Sequence, residues 1–215
     1  MPPAPGAFPR SGQTFRVYEG RRPGSKLKGR YIGGSTSELT PDLPTELAYS
    51  EGKDERAKIM TPVHEELLVE FRNSAKSAAT TESLMEHMAQ RLHEKMTRYN
   101  WVGFYLIDPA DAGFLVVGPY VGSFTPNARI PLNTGLCGAA VTTGQTVVVQ
   151  DVSKDPRYLA GSSMVNSEVV VPIFVKGKLA AELDIESYFA NTFDSAEREF
   201  VEACAAVVGR FSGKG

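Results

Sequence analysis

Residues 129–156 read RIPLNTGLCGAAVTTGQTVVVQDVSKDP, and the rest of the chain is organised around them. Ile130, Pro131 and Leu132 make a short apolar, strand-like run that ends at Asn133-Thr134-Gly135, a turn signal. A helix of small residues follows, about two turns long and closed by Gly144. A β-rich run, Thr146 to Val149, then leads to the acidic turn at Asp151. Cys137 sits where the small helix begins. A helix N-terminus stabilises thiolates through its dipole and free N–H groups. The position is therefore either a reactive thiol or a small residue packed under a loop.

Working outward, Asn100 to Ile107 (NWVGFYLI) alternates as a strand, with Trp101, Gly103 and Tyr105 on one face and Val102, Phe104 and Leu106 on the other. Gly103 between two aromatics marks either space for something to lie against the strand or a bulge or close helix contact. Phe114 to Val117 is a second strand that Tyr120 to Phe124 extends. Beyond the central stretch, Pro156 to Asn166 is a Gly/Ser-rich loop. Ser167 to Val175 and Leu179 to Glu186 form a hairpin about Val175-Lys176-Gly177-Lys178. In the returning strand Glu182, Asp184 and Glu186 share one face, and Glu168 on the partner strand can reach the same side. Such a face is either solvated or a concave site for an ammonium group or a cation.

Helices flank these strands. Thr61-Pro62 starts one, with Leu67, Leu68, Phe71 and Ala75 as its stripe. Thr80 to Ser83 starts a second, whose stripe of Leu84, Met85, Met88, Leu92 and Met96 reads as core or a helix seam. His87 and His93 fall outside that stripe and are expected in solvent. Asp194 caps a closing helix, on which Cys204 is expected to be an inert core thiol. The order predicts an α+β domain: an antiparallel sheet with helices largely on one face.

Residues 1–58 differ from the rest. Pro and Gly recur, and a basic half (Arg10 to Arg30) precedes an acidic half (Glu38 to Glu55). The expectation is an extended or disordered N-terminal arm, or one that Phe15, Val17, Tyr18, Tyr31 and Ile32 anchor on the chain's own domain or on a protein partner. The domain proper is expected over 61–213. With 215 residues, 42% hydrophobic content and a net charge of −2, nothing indicates a nucleic-acid or membrane surface. The N-terminus lacks the pattern of a secretory signal. Two cysteines make no disulfide framework, so a cytoplasmic location is expected. No zinc spacing occurs, and no metal is expected.

From Asn100 to Phe211 the chain resembles a GAF (PAS-like) domain and, within that superfamily, the free methionine-(R)-sulfoxide reductase family. The carrying residues are Trp101-Val-Gly-Phe-Tyr105, Arg129-Ile-Pro131, Gly135-Leu-Cys-Gly138, Asp151-Val152, Asn166-Ser-Glu168, Val170-Val-Pro172 and Leu183-Asp-Ile-Glu186. The resemblance implies a pocket for a free amino acid, with Glu168, Asp184 and Glu186 as its acidic trio and Trp101 and Tyr105 as its aromatic lining. Glu186 stands for the family's usual Asp, and Glu182 replaces a usually apolar residue.

The resemblance also implies thiol chemistry. A thiolate attacks the sulfoxide sulfur, a sulfenic acid forms, and a second thiol closes a disulfide that thioredoxin or glutathione reduces. No other cofactor is implied. Of three family cysteines only Cys137 is kept; Asn127 and Gly161 stand at the other two positions. Two readings follow. In one, the chain is a catalytically impaired member that binds methionine sulfoxide or a similar amino acid, or serves as a docking module. In the other, Cys137 alone runs an active L-methionine-(R)-S-oxide reductase with an external thiol. A cyclic-nucleotide sensor fits less well, because the acidic pocket repels phosphate. Membership also implies a homodimer, for which the stripes of the 61–96 helices offer a surface.

Overall fold

The computed structural model describes residues 59–211. The arm expected over 1–58 lies outside them. Six strands form one antiparallel sheet in the order β3-β2-β1-β6-β5-β4. They are β1 (Trp101–Ile107), β2 (Phe114–Gly122), β3 (Arg129–Pro131), β4 (Val147–Val149), β5 (Ser167–Val175) and β6 (Lys178–Ser187). The helices are α1 (Pro62–Ser77), α2 (Thr81–Lys95), α3 (Gly135–Thr143) and α4 (Ser195–Arg210).

Helix boundaries follow local chemistry. The Thr61 hydroxyl accepts from the His64 N–H, and the Thr61 N–H donates back to His64 Nδ1, so a histidine completes the reciprocal cap. Thr80 and Ser83 do the same for α2. Asp194 accepts from two backbone N–H groups at the start of α4. Gly144 ends α3 in the left-handed conformation, at φ 66°.

The sheet separates two cores. Val102, Phe104, Leu183 and Ile185 face α1, α2 and α4, meeting Phe71, Met85, Met88 and Phe200. The methionine stripe of α2 is therefore core, as the spacing predicts. The stripes on α1 and α2 are spent on the chain's own core, so they do not supply the dimer surface drawn from them. The opposite face carries Trp101, Tyr105 and Val170 under α3 and the 150–166 connection. His87 is half-buried rather than solvated, paired with Glu70 at 3.0 Å. Cys204 is fully buried in the helical core, and burial pushes its thiol well up.

Gly103 makes room for the chain itself. A Cβ there would stand 2.3 Å from Trp101 Cη2, and one at Gly122 would stand 2.3 Å from Trp101 Cδ1. The indole lies flat across both glycines, stacked on Tyr120 and Phe124 with centroids 5.6 and 6.0 Å away.

Candidate functional site

β6 is central in the sheet, and β1 and β5 pair with it on either side. Strand pairing sets Tyr105 opposite Glu182, Gly103 opposite Asp184 and Trp101 opposite Glu186. From the other side Glu168 pairs directly with Glu186. Four carboxyl groups thus meet on one face. α3 and the 156–166 loop cover that face, so it is not the solvated surface that acidic alternation usually produces. Glu168 is 5% exposed, Glu182 0%, Asp184 3% and Glu186 7%.

The Asn166-Ser167-Glu168 run shows how the chain holds this arrangement. Asn166 Nδ2 donates to the Tyr188 and Met164 carbonyls at 2.9 and 3.1 Å. Ser167 Oγ donates to the Phe189 carbonyl at 2.6 Å. These bonds clamp the start of β5 to the exit of β6 and fix the register that aims Glu168 inward. Arg129 works away from the site: it pairs with Asp108 at 2.9 Å and Asp111 at 3.3 Å and stacks 3.4 Å over the Phe114 ring.

Cys137 enters from α3. Its Sγ lies 3.8 Å from Asp184 Oδ2, close enough for a thiol hydrogen bond. The Glu182 carboxyl also borders the thiol. At 5% exposure the thiol is pushed far above its ordinary value, first by burial and then by the Asp184, Glu182 and Glu168 charges. The helix N-terminus is outweighed. Thr134, at the cap position, makes no side-chain bond to it.

The carboxyls are displaced in the same direction. Burial raises Asp184 to about 7, against a smaller opposing effect of the Cys137 hydrogen bond. Burial and then the Asp184 charge raise Glu186 to about 9. Burial is also the first cause for Glu168 and Glu182, both well above the ordinary range. Both Glu182 oxygens, Asp184 Oδ1 and Glu186 Oε2 lack a hydrogen-bond partner. Two like charges about 5 Å apart repel by about 3 kcal/mol at a protein's effective dielectric. Burial without a counter-charge favours the protonated form of each of these carboxyls.

A small cavity opens onto these groups. About 20 Å³ of free space is bounded by Tyr105, Asn127, Cys137, Glu168, Asp184 and Glu186, with Gly135 and Leu159 at the rim. Tyr105 donates its hydroxyl to the Asn127 carbonyl at 3.0 Å. Trp101 lies behind this wall rather than on it, buried against Tyr120 and Phe124. Leu159 is a wall residue that sequence reasoning placed only in a loop. Gly161 stands over the cavity: a Cβ there would be 3.8 Å from Glu186 Oε1 and 3.0 Å from Phe124 Cε2. Asn127 and Gly161, where the resemblance expects thiols, therefore both border the acidic face. A larger opening, about 450 Å³, lies between β5 and α4, and neither Cys137 nor any of the four carboxyl groups lines it.

The curled six-stranded sheet and its flanking helices define a GAF domain. The chain belongs to the GAF domain family, whose profile matches residues 80–210. GAF domain-containing protein A of Dictyostelium discoideum is 33% identical over 161 residues, 74% of this chain and 94% of that one. The free methionine-R-sulfoxide reductase of Saccharomyces cerevisiae is 34% identical over 112 residues, 52% of this chain. That match spans 62% of the yeast protein, less than two thirds of its length. Among solved structures, the free methionine-R-sulfoxide reductase from Neisseria meningitidis in complex with its substrate superposes with a TM-score of 0.64. It is 32% identical, over 68% of this chain and 86% of its own.

Proposed function

We propose that this GAF domain binds a free amino acid of the methionine sulfoxide type and is impaired in reducing it. The observation that carries the reading is the buried acidic wall: Asp184 and Glu186, each with an orphaned oxygen, line a small cavity. An ammonium group supplies both the hydrogen-bond donors and the positive charge this wall lacks. The relationship to reductases named for free methionine-R-sulfoxide supports that ligand class.

Impairment follows from the thiols. Cys137 is buried beside carboxyl groups that oppose its ionisation. Asn127 and Gly161 offer no second sulfur, and Cys204 lies in the other core. A sulfenic acid formed at Cys137 has no internal thiol to condense with. The reading that Cys137 works with an external thiol such as glutathione is the competing outcome of the same assay.

The experiment pairs calorimetry with a coupled assay on the full chain. Methionine-(R)-sulfoxide is expected to bind with measurable heat, while thioredoxin and glutathione systems consume no NADPH above background. Turnover that vanishes in Cys137→Ser would overturn impairment and establish the single-thiol reductase. Gly161→Cys is expected to raise turnover, because its sulfur would stand over Glu186 once Phe124 gives by a few tenths of an ångström.

A further inference from the structure

We infer that the cavity wall is also a site for a thiolate-preferring divalent cation of the zinc class, held by Cys137, Glu168 and Asp184. The sequence leaves a cation open for the acidic face but does not bring Cys137 to it, since the three residues are far apart and no histidine joins them. The fold brings them together: Cys137 Sγ and one oxygen from each carboxylate lie within 4.8 Å of one another.

The spacing suits a small tetrahedral ion. Zinc bonds of about 2.3 Å to sulfur and 2.0 Å to oxygen place neighbouring sulfur and oxygen ligands about 3.5 Å apart. Cys137 Sγ and Asp184 Oδ2 are already 3.8 Å apart. Closing the trio on an ion takes side-chain adjustments of about 1 Å, set by those bond lengths.

Two further observations point to a ligand. Glu186 lines the same cavity, is 7% exposed, and leaves Oε2 with no partner; Asp184, 3% exposed, leaves Oδ1 the same way. Among the described residues no lysine, arginine or histidine pairs with Glu168, Asp184 or Glu186. The free space, about 20 Å³, accepts one water-sized particle without any movement of the walls. One soft sulfur beside hard oxygens disfavours magnesium and calcium and favours zinc, with cobalt as its spectroscopic stand-in. On binding, the Cys137 S–H bond is exchanged for a metal–sulfur bond and its proton passes to solvent. No electron is transferred. The absence of the other two family thiols frees Cys137 from disulfide chemistry and leaves it available as a ligand.

The test uses the full chain, stripped with a chelator, with no amino acid added, and titrated with Co²⁺. Uptake of one Co²⁺ per chain is expected, with a near-ultraviolet sulfur-to-cobalt charge-transfer band and the intense visible bands of tetrahedral cobalt. Zn²⁺ should displace it and slow alkylation of Cys137. Cys137→Ser should abolish the charge-transfer band, while Cys204→Ser keeps it. Glu168→Gln and Asp184→Asn, with folding checked by near-ultraviolet circular dichroism, should each weaken Zn²⁺ binding by about tenfold or more. No uptake, or a pale octahedral spectrum indifferent to Cys137→Ser, would overturn the site. Calorimetry of methionine-(R)-sulfoxide with the stripped protein tests amino-acid binding separately, so either proposal can fail alone.

Discussion

Glu182 is the costliest residue of the acidic face. It is fully buried, its oxygens meet no donor stronger than the bordering Cys137 thiol, and Asp184 lies two residues along the same face. An apolar side chain of similar volume removes an unmet desolvation cost of about 1–3 kcal/mol. Glu182→Leu is therefore expected to stabilise the fold by an amount in that range, read as a higher urea midpoint at unchanged m-value. A lower midpoint would mean that the carboxyl has a partner after all. Gly103 has the opposite sensitivity. Its missing Cβ is the space that Trp101 Cη2 fills at 2.3 Å, with Tyr120 Cβ at 2.7 Å. Gly103→Ala forces the indole off both glycines and should cost about 1–3 kcal/mol or more by overpacking. Trp101 fluorescence should shift in the same variant.

Among the elements, those with a strong local signature are legible in the sequence. Pro62 after Thr61, the β5–β6 turn and the Asp194 cap each carry a local cause, and the observed boundaries fall within a residue or two of the expected ones. The alternation of β1 separates the two cores correctly. The acidic strand is where sequence reading stops short, because alternating carboxylates look the same on a wet face and a covered one. What decides is that β6 is central and that α3 crosses over it, which is a matter of topology. For Trp101, alternation gives the face but not the turn of the ring, which lies across Gly103 and Gly122. The β1–β2 turn offers a test at this scale. The Ala110 N–H and then Arg129 hold the Asp108 carboxyl below its ordinary 3.8. A depressed folded-state value contributes stability that is complete above the unfolded value and lost as pH falls through the folded one. Asp108→Asn should accordingly lower stability at neutral pH and shrink the loss on acidification below about pH 4. Denaturant titrations at several pH values would reveal an unchanged slope if the turn were indifferent.

In the molecule as a whole, one sheet divides two kinds of interior. The α1–α2–α4 side is an apolar core closed by Phe71, Phe104 and Phe200. Phe200 is fully buried there, with His64 stacked on it at 4.2 Å. Phe200→Ala should cost about 3–5 kcal/mol. Since both cores share β1, β5 and β6, it should unfold them in one transition, and separate transitions for Trp101 fluorescence and far-ultraviolet circular dichroism would refute that coupling. The other interior sets a buried acidic wall among apolar residues such as Leu136, Val149 and Val170. A cavity of about 20 Å³ admits an ion with side-chain adjustments alone but is too small for an amino acid. An amino acid must wait for the rim at Gly135 and Leu159 to part, so its observed association rate should rise with concentration and then level off at the opening rate. A cation's rate should keep rising linearly. The same narrow rim then slows departure, so residence time, more than equilibrium affinity, is the quantity by which this domain would tell one occupant from another.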